Sequence, residues 1–409
     1  MSKDWALLRL GDFLSELPKS TLPASCSEAN GAYSFYCSSS EPKAADTWLQ
    51  ELPAILMGTG GVASVHLGKG RYAYSTDTWA IRIKESSKLT QPYAYRVLEL
   101  SLPKIDYAGF EGSGLRHLRK SYIKDFRFLA PSDSAPQKQI VSILDGIDTA
   151  IEKTEALIAK YQQIKAGLMH DLFTRGVLPN GQLRPPREQA PELYQETAIG
   201  WMPREWDVKP CADLCSRICV GIVIQPTQYY VEDGVPAFRS ANVREDGIDP
   251  NNFVYISAGA NRLLAKSQVK TGDIVSVRTG YPGTSAVIPS DFQGANCIDI
   301  LISTPNEKVI SEYLCDWINS SFGKGQVLRQ QGGMAQQHFN VGEMRELLVA
   351  LPDLNEQERI RGKIKSVSGK LAIEKALAEK LQAQKSGLMH DLLTGKVPVK
   401  VAEPEVVDG

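Results

Sequence analysis

The 409-residue sequence is short of several things, and each shortage excludes a class of protein. No run of about 18 apolar residues exists, so no membrane-spanning helix is expected. The start, MSKDWALLRLGDFL, has neither a long apolar core nor a small-residue cleavage site, so no secretory signal is visible and the expected compartment is the cytoplasm. Seven cysteines, an odd number in so long a chain, fit reduced thiols better than a disulfide framework. There is no large excess of charge: 46 Lys and Arg stand against 47 Asp and Glu, a net of −1, which argues against a non-specific polycation. No G-x-x-x-x-G-K-[ST] phosphate loop is present. GTGGVA (58–63) resembles a dinucleotide fingerprint but lacks the long helix that must follow it, and a sharp β-turn beside a ligand surface is the better account.

What the sequence has in abundance is itself, twice. KAGLMHDLFT (165–174) and KSGLMHDLLT (385–394) agree at eight of ten positions, at an offset of 220. With the same offset Gln137 falls on Gln357, Ile140 on Ile360, Leu144 on Ile364, Ile147 on Val367 and Ile151 on Leu371. Trp5–Leu14 echoes Trp206–Cys215, so the unit is a Trp-start, a variable body and a repeated tail. The tails are seamed by Ile140, Leu144, Ile147, Ile151, Ile158, Leu168 and Leu172, and again by Ile360, Ile364, Leu371, Leu381, Leu388 and Leu392. That alternating spacing of four and three predicts two long coiled-coil helices packed on each other. Ser134 with Gln137, and Asn355 with Glu358, fit capping boxes. Gly176 and Gly395 fit C-terminal stops. Gly167, Gly387, Met169 and Met389 suggest close, adaptable contact at the helix ends. The bodies, with short apolar runs broken by glycines, predict twisted β-structure, and PNGQLRPPREQAPE (179–192) predicts a linker.

Histidine and cysteine motifs favour bland readings. Four of the five histidines (His117, His170, His338, His390) fall in repeat-related pairs, which suits a duplicated structural element better than one metal or catalytic site. Cys211 and Cys215 align with Leu10 and Leu14, so they are expected to be buried substitutes for leucine. The stretch RHLRKSYIKDFR (116–127) carries Arg116, Arg119, Lys120, Lys124 and Arg127, whose spacing gathers several on one helical face as a solvated surface or a phosphate-binding one. Residues 1–130 hold 16 basic against 13 acidic residues, and residues 190–350 hold 13 against 18. A second nucleic-acid surface would therefore have to be locally concentrated.

Two variable bodies, each followed by a helix that ends in K-x-G-L-M-x-D-L, resemble the specificity subunit of Type I restriction–modification enzymes, and IGWMPREWDVKP (199–210) resembles that family's domain start. The resemblance implies an α+β chain with two β-rich target recognition domains and two long antiparallel helices. The expected division is 1–130 and 199–350 for the recognition domains, 131–178 and 351–397 for the spacer helices, 179–198 for the linker and 398–409 for a tail. It also implies that each domain reads one half of a bipartite double-stranded DNA target, that the helices set the unread spacer, and that two methyltransferase subunits dock on the repeated regions, with motor-nuclease subunits joining for cleavage. S-adenosylmethionine, ATP and Mg²⁺ belong on those partners, none on this chain, and the setting is a bacterial or archaeal cytoplasm. The absence of an Asn/Asp-Pro-Pro-Tyr/Phe motif agrees with a subunit that does not itself methylate.

Side-chain chemistry suggests base or phosphate contacts from Lys69, Arg71, Tyr74, Arg116, Arg119 and Lys120 in the first body. In the second it suggests Arg239, Asn242, Arg278, Tyr281 and Gln336, since Arg pairs with guanine and Asn or Gln with adenine. The alternatives are a single-chain DNA-modifying or cleaving enzyme, which lacks its motifs here, and a coiled-coil scaffold, which leaves the bodies unexplained.

Overall fold

The computed structural model describes residues 4–85, 88–330 and 338–400. The chain divides into two compact units, Met1–Ala156 with Lys375–Gly409, and Leu157–Glu374, so each unit takes its body and half of each long helix. These are Ser134–Arg175 and Leu354–Leu393. They run antiparallel: in the first unit Lys385 reaches Asp148 at 2.8 Å, and in the second Arg359 donates to the Val177 carbonyl at 2.9 Å. The seam is therefore shared. Ile140, Leu144, Met389 and Leu392 enter the first unit's core, and Leu172, Phe173, Ile360 and Ile364 enter the second's.

Each unit folds its body the same way. A four-stranded antiparallel sheet has the order Leu14–Glu16, Thr78–Ile83, Ala54–Gly58, Val65–Gly68 in the first. In the second the order is Cys215–Val220, Ile300–Pro305, Ile274–Val277, Ser285–Val287. The central strands AILMG and IVSV are buried throughout, and the one polar side chain among them, Ser276, is satisfied by the Ser285 hydroxyl at 2.6 Å. A two-stranded ribbon, Trp5–Arg9 with Arg127–Pro131 and Asp207–Pro210 with Leu348–Leu351, hands the chain to each long helix. The second unit also has a hairpin, Tyr194–Thr197 with Gly200–Pro203.

Helix entry differs from the expected capping boxes. Gln137 does not reach back to Ser134; it is fully buried, accepting from Thr90 N–H at 2.8 Å and donating to the Lys88 and Pro131 carbonyls at 2.9 Å. Gln357 repeats this on Ile310 N–H and the Lys308 and Pro352 carbonyls. The amide is spent on pinning the body to the helix. Asp353, not Asn355, caps the second helix by accepting from Glu356 N–H at 2.9 Å, and Glu358 turns outward to Arg361.

Helix exit is made as the glycines suggest. Gly176 and Gly395 adopt φ of +65° and +73°, which glycine tolerates best. They also lie against Trp206 and Trp5, where a Cβ would meet the indole rings. Gly167 and Gly387 differ from expectation: a Cβ at either would meet nothing within 4 Å, so this chain makes no close approach there.

Candidate nucleic-acid interface

At one end of each four-stranded sheet, the turn between the two strands that close it is stitched to the segment preceding a short helix. In the first unit this turn is 58–64, where Gly61 N–H donates to the Arg116 carbonyl at 2.9 Å and Leu118 N–H to the Thr59 carbonyl at 3.0 Å. Asp106 completes the joint by accepting from Ala63 N–H at 2.8 Å and from Arg116 Nη1 at 3.1 Å. The Ala63 amide, then Arg116, hold the Asp106 carboxyl below its ordinary pKa range. In the second unit the turn is 277–284, with Phe339 N–H donating to the Arg278 carbonyl at 2.9 Å. Gly280 and Gly283 take φ of +90° and +82° there, and Tyr281 projects with 81% of its surface exposed.

The expected contact residues separate into groups. Arg116, Arg119 and Lys120 do lie at this end, but not along one helix: His117–Leu118 is a strand, and only Lys120–Lys124 is helical. Their charges are engaged. Arg116 pairs with Asp106, Arg119 with Glu111 at 2.8 Å, and Lys120 and Lys124 with Glu16 at 3.6 and 2.6 Å. Lys124 first, and the Trp79 indole second, lower the Glu16 pKa. Lys69 and Arg71 sit beyond the opposite end of strand Val65–Gly68, roughly 13 Å away at about 3.3 Å per residue. Lys69 lines a cleft of about 460 Å³ with Arg96, Asp145, Asp148 and Glu152, where two of the three carboxylates are paired with Arg96. Arg71 pairs with Glu51 at 2.8 Å and lies 4.9 Å from the Trp48 ring.

Two expectations are corrected by burial. Tyr74 is 2% exposed and its hydroxyl donates to the Pro18 carbonyl, because its strand is covered on both faces. Asn242 is 1% exposed: it accepts from Arg239 N–H and donates to the carbonyls of Asp249 and Asn251, shaping a loop rather than facing a base. Arg239 donates to the Asn252 carbonyl at 2.7 Å. Arg278 is held by Asp299 and donates to the Phe339 carbonyl at 3.3 Å. Gln336 lies outside the described residues. Among the described candidates of the second body, Tyr281 is the one left exposed.

Sequence reasoning passed over the apolar side chains at the same ends. Val62, Tyr107 and Leu115 are 74%, 90% and 68% exposed, and Ile224 is 75% exposed beside Ile222, which accepts at its carbonyl from Asp299 N–H. Their signal in the sequence is faint: a bulky apolar residue in or next to a glycine-rich turn.

Cys211 and Cys215 are buried where the first unit has Leu10 and Leu14, also buried, with the two Sγ atoms 3.9 Å apart. Among the described residues no helix is long and apolar enough to cross a membrane.

Comparison with known proteins bears on this duplicated plan. Residues 2–163 match the family model described as the Type I restriction modification DNA specificity domain. The Type I restriction enzyme MjaVIII specificity subunit of Methanocaldococcus jannaschii is 22% identical over 422 residues, 97% of this chain and 94% of that protein. The putative MjaX specificity subunit of the same organism is 27% identical over 270 residues, 64% of this chain and 58% of its own length. The crystal structure of the Type I S subunit from M. genitalium has a TM-score of 0.65 at 14% identity, covering 95% of this chain and 96% of its own. A chain from a study of Type I complex assembly and conformational transition has a TM-score of 0.53 at 14% identity, covering 97% and 99%. The fold is shared with these structures, and the resemblance to Type I specificity subunits carried by the repeated helix ends holds along nearly the whole chain.

Proposed function

We propose that this chain is the DNA sequence-specificity subunit of a Type I restriction–modification complex. Each unit reads one half of a bipartite target, and the paired helices set the unread spacer. Two adenine-methyltransferase subunits dock on the repeated regions and bring motor-nuclease subunits with them. Methyl transfer from S-adenosylmethionine and ATP- and Mg²⁺-dependent translocation belong to those partners; this chain recognises and does not catalyse. It works in the cytoplasm of a bacterium or archaeon.

The observation that carries this reading is the duplication of one body and one stitched turn on two antiparallel helices. A duplicated chain offers like surfaces to two like partners, and two tethered readers gain from effective concentration once one is engaged. Co-expression with a Type I methyltransferase subunit, followed by mapping of modified adenines, is the test. One split motif methylated on both strands is expected. Methylation or cleavage by the purified chain alone, given DNA, Mg²⁺ and S-adenosylmethionine, would overturn the non-catalytic assignment.

A further inference from the structure

We propose that Val62, Tyr107 and Leu115 form the base reader of the first unit, and that they meet the 5-methyl groups of thymines in its half-site. The inference rests on the DNA-recognition function above and goes on to name the chemistry that is read.

Single exposed apolar residues need no explanation, but these three come from three separate segments held at one place. Val62 lies between Gly61 and Ala63, whose amides donate to the Arg116 carbonyl and to Asp106. Tyr107 follows Asp106, and Leu115 precedes Arg116, which returns to the same carboxylate. Asp106 is thus a positioning residue that holds the three segments together. The rim carries Arg116, Arg119 and Lys120, each paired with a carboxylate that a DNA phosphate would compete with.

The arginines that would read a guanine directly are engaged elsewhere. Arg116 is bound to Asp106, and Arg119 to Glu111 and the Ala108 carbonyl. Beside these paired cations, the exposed His117 ring and the Tyr107 hydroxyl, the largest exposed side chains at this end are apolar. Of the groups on base edges in the major groove, the thymine methyl is the apolar one.

The test uses the full chain in complex with its methyltransferase subunits. Synthetic duplexes carry the mapped motif with single thymines replaced by deoxyuridine, which lacks only that methyl. In one half-site at least one such replacement weakens binding about fourfold, the worth of burying one methyl. Val62→Ser, Tyr107→Ser and Leu115→Ser each reduce that penalty, while the other half-site keeps its sequence dependence. The three residues are exposed, so the fold survives the changes, and because they are assigned to DNA, co-purification with the methyltransferase is expected to stay unchanged. Binding indifferent to deoxyuridine throughout the half-site overturns the inference. So do variants that lose the methyltransferase and keep base preference, since the patch would then be a protein contact. A wild-type complex that methylates no split motif removes the recognition function itself, and this inference with it.

Discussion

Side chains differ most from what their type suggested where a repeat-specific network claims them. Glu356 is 2% exposed and accepts from Val177 N–H at 2.8 Å, Trp206 Nε1 at 3.1 Å and Arg184 Nη2 at 3.0 Å. The repeat offset places Pro136 opposite it, so the first unit has no such network. Glu356→Ala leaves the buried Arg184 guanidinium with the exposed Glu205 carboxylate as its one counter-charge, beside the Arg175 carbonyl. The expected loss is roughly 3–5 kcal/mol, measured by denaturant unfolding. Asp316 is the opposite case. Burial pushes its carboxyl up to about 6, against the pull of Lys165 and Arg361 and with Glu312 adding to the rise. A raised folded-state pKa means the stability it contributes is full below the unfolded value near 4 and is lost as pH rises through about 6. Asp316→Asn is therefore expected to stabilise the chain at pH 8 by up to about 3 kcal/mol, with the gain shrinking toward pH 4.5 in paired unfolding curves. None of this was legible from residue type. Asn242 and Tyr74 looked like readers because their donors and acceptors suit bases, and sequence alone did not reveal that backbone carbonyls claim them.

The long helices were the most legible elements, because a seam of period 3.5 over some forty residues has no competing explanation. Their polar dressing was less so. At repeat-related positions Arg96 faces Asp145 and Asp148 in the first unit, whereas Asp316 shares a cleft with Lys365 and Arg361 in the second. The charges have exchanged sides between the two units. The motif lysine is common to both: Lys385 binds Glu99 and Asp148, and Lys165 lines the Asp316 cleft. Burial raises the Asp148 pKa, but Lys385 and Arg96 outweigh it and hold the carboxyl low, so its contribution is lost only as pH falls into the acid range. The two latches thus respond to pH in opposite senses. On the outer faces, Leu157 and Leu377 match at the repeat offset and are both about two-fifths exposed, and Gly167 and Gly387 have open space above them. Unsatisfied apolar surface repeated at one place suits two copies of one partner. Leu157→Asp with Leu377→Asp, or Gly167→Trp with Gly387→Trp, is expected to lower methyltransferase co-purification at least tenfold. The chain's melting temperature should move little, and the methylated motif of any residual complex should be unchanged. A changed motif with intact assembly would place these faces on the DNA side instead.

For the whole molecule, the proposed recognition function makes the spacing a property of helix length. Each helix contributes to both units, so neither can be lengthened alone without slipping the contacts that bind it. Lys385 with Asp148 and Arg359 with Val177 tie one helix's far end to the other's beginning. A seven-residue insertion in the first helix only, near Leu157, should therefore cost stability and partner binding rather than move the spacer cleanly. Matched seven-residue insertions near Leu157 and Leu377 preserve the heptad phase and leave both sets of end contacts in register. They add about 10 Å at roughly 1.5 Å per residue, close to three base pairs at about 3.4 Å each. Methylation mapping of the doubly extended chain is expected to return the same two half-sites with an unread gap longer by about three base pairs. Unchanged half-sites with an unchanged gap would mean that something other than the helix pair measures the spacer.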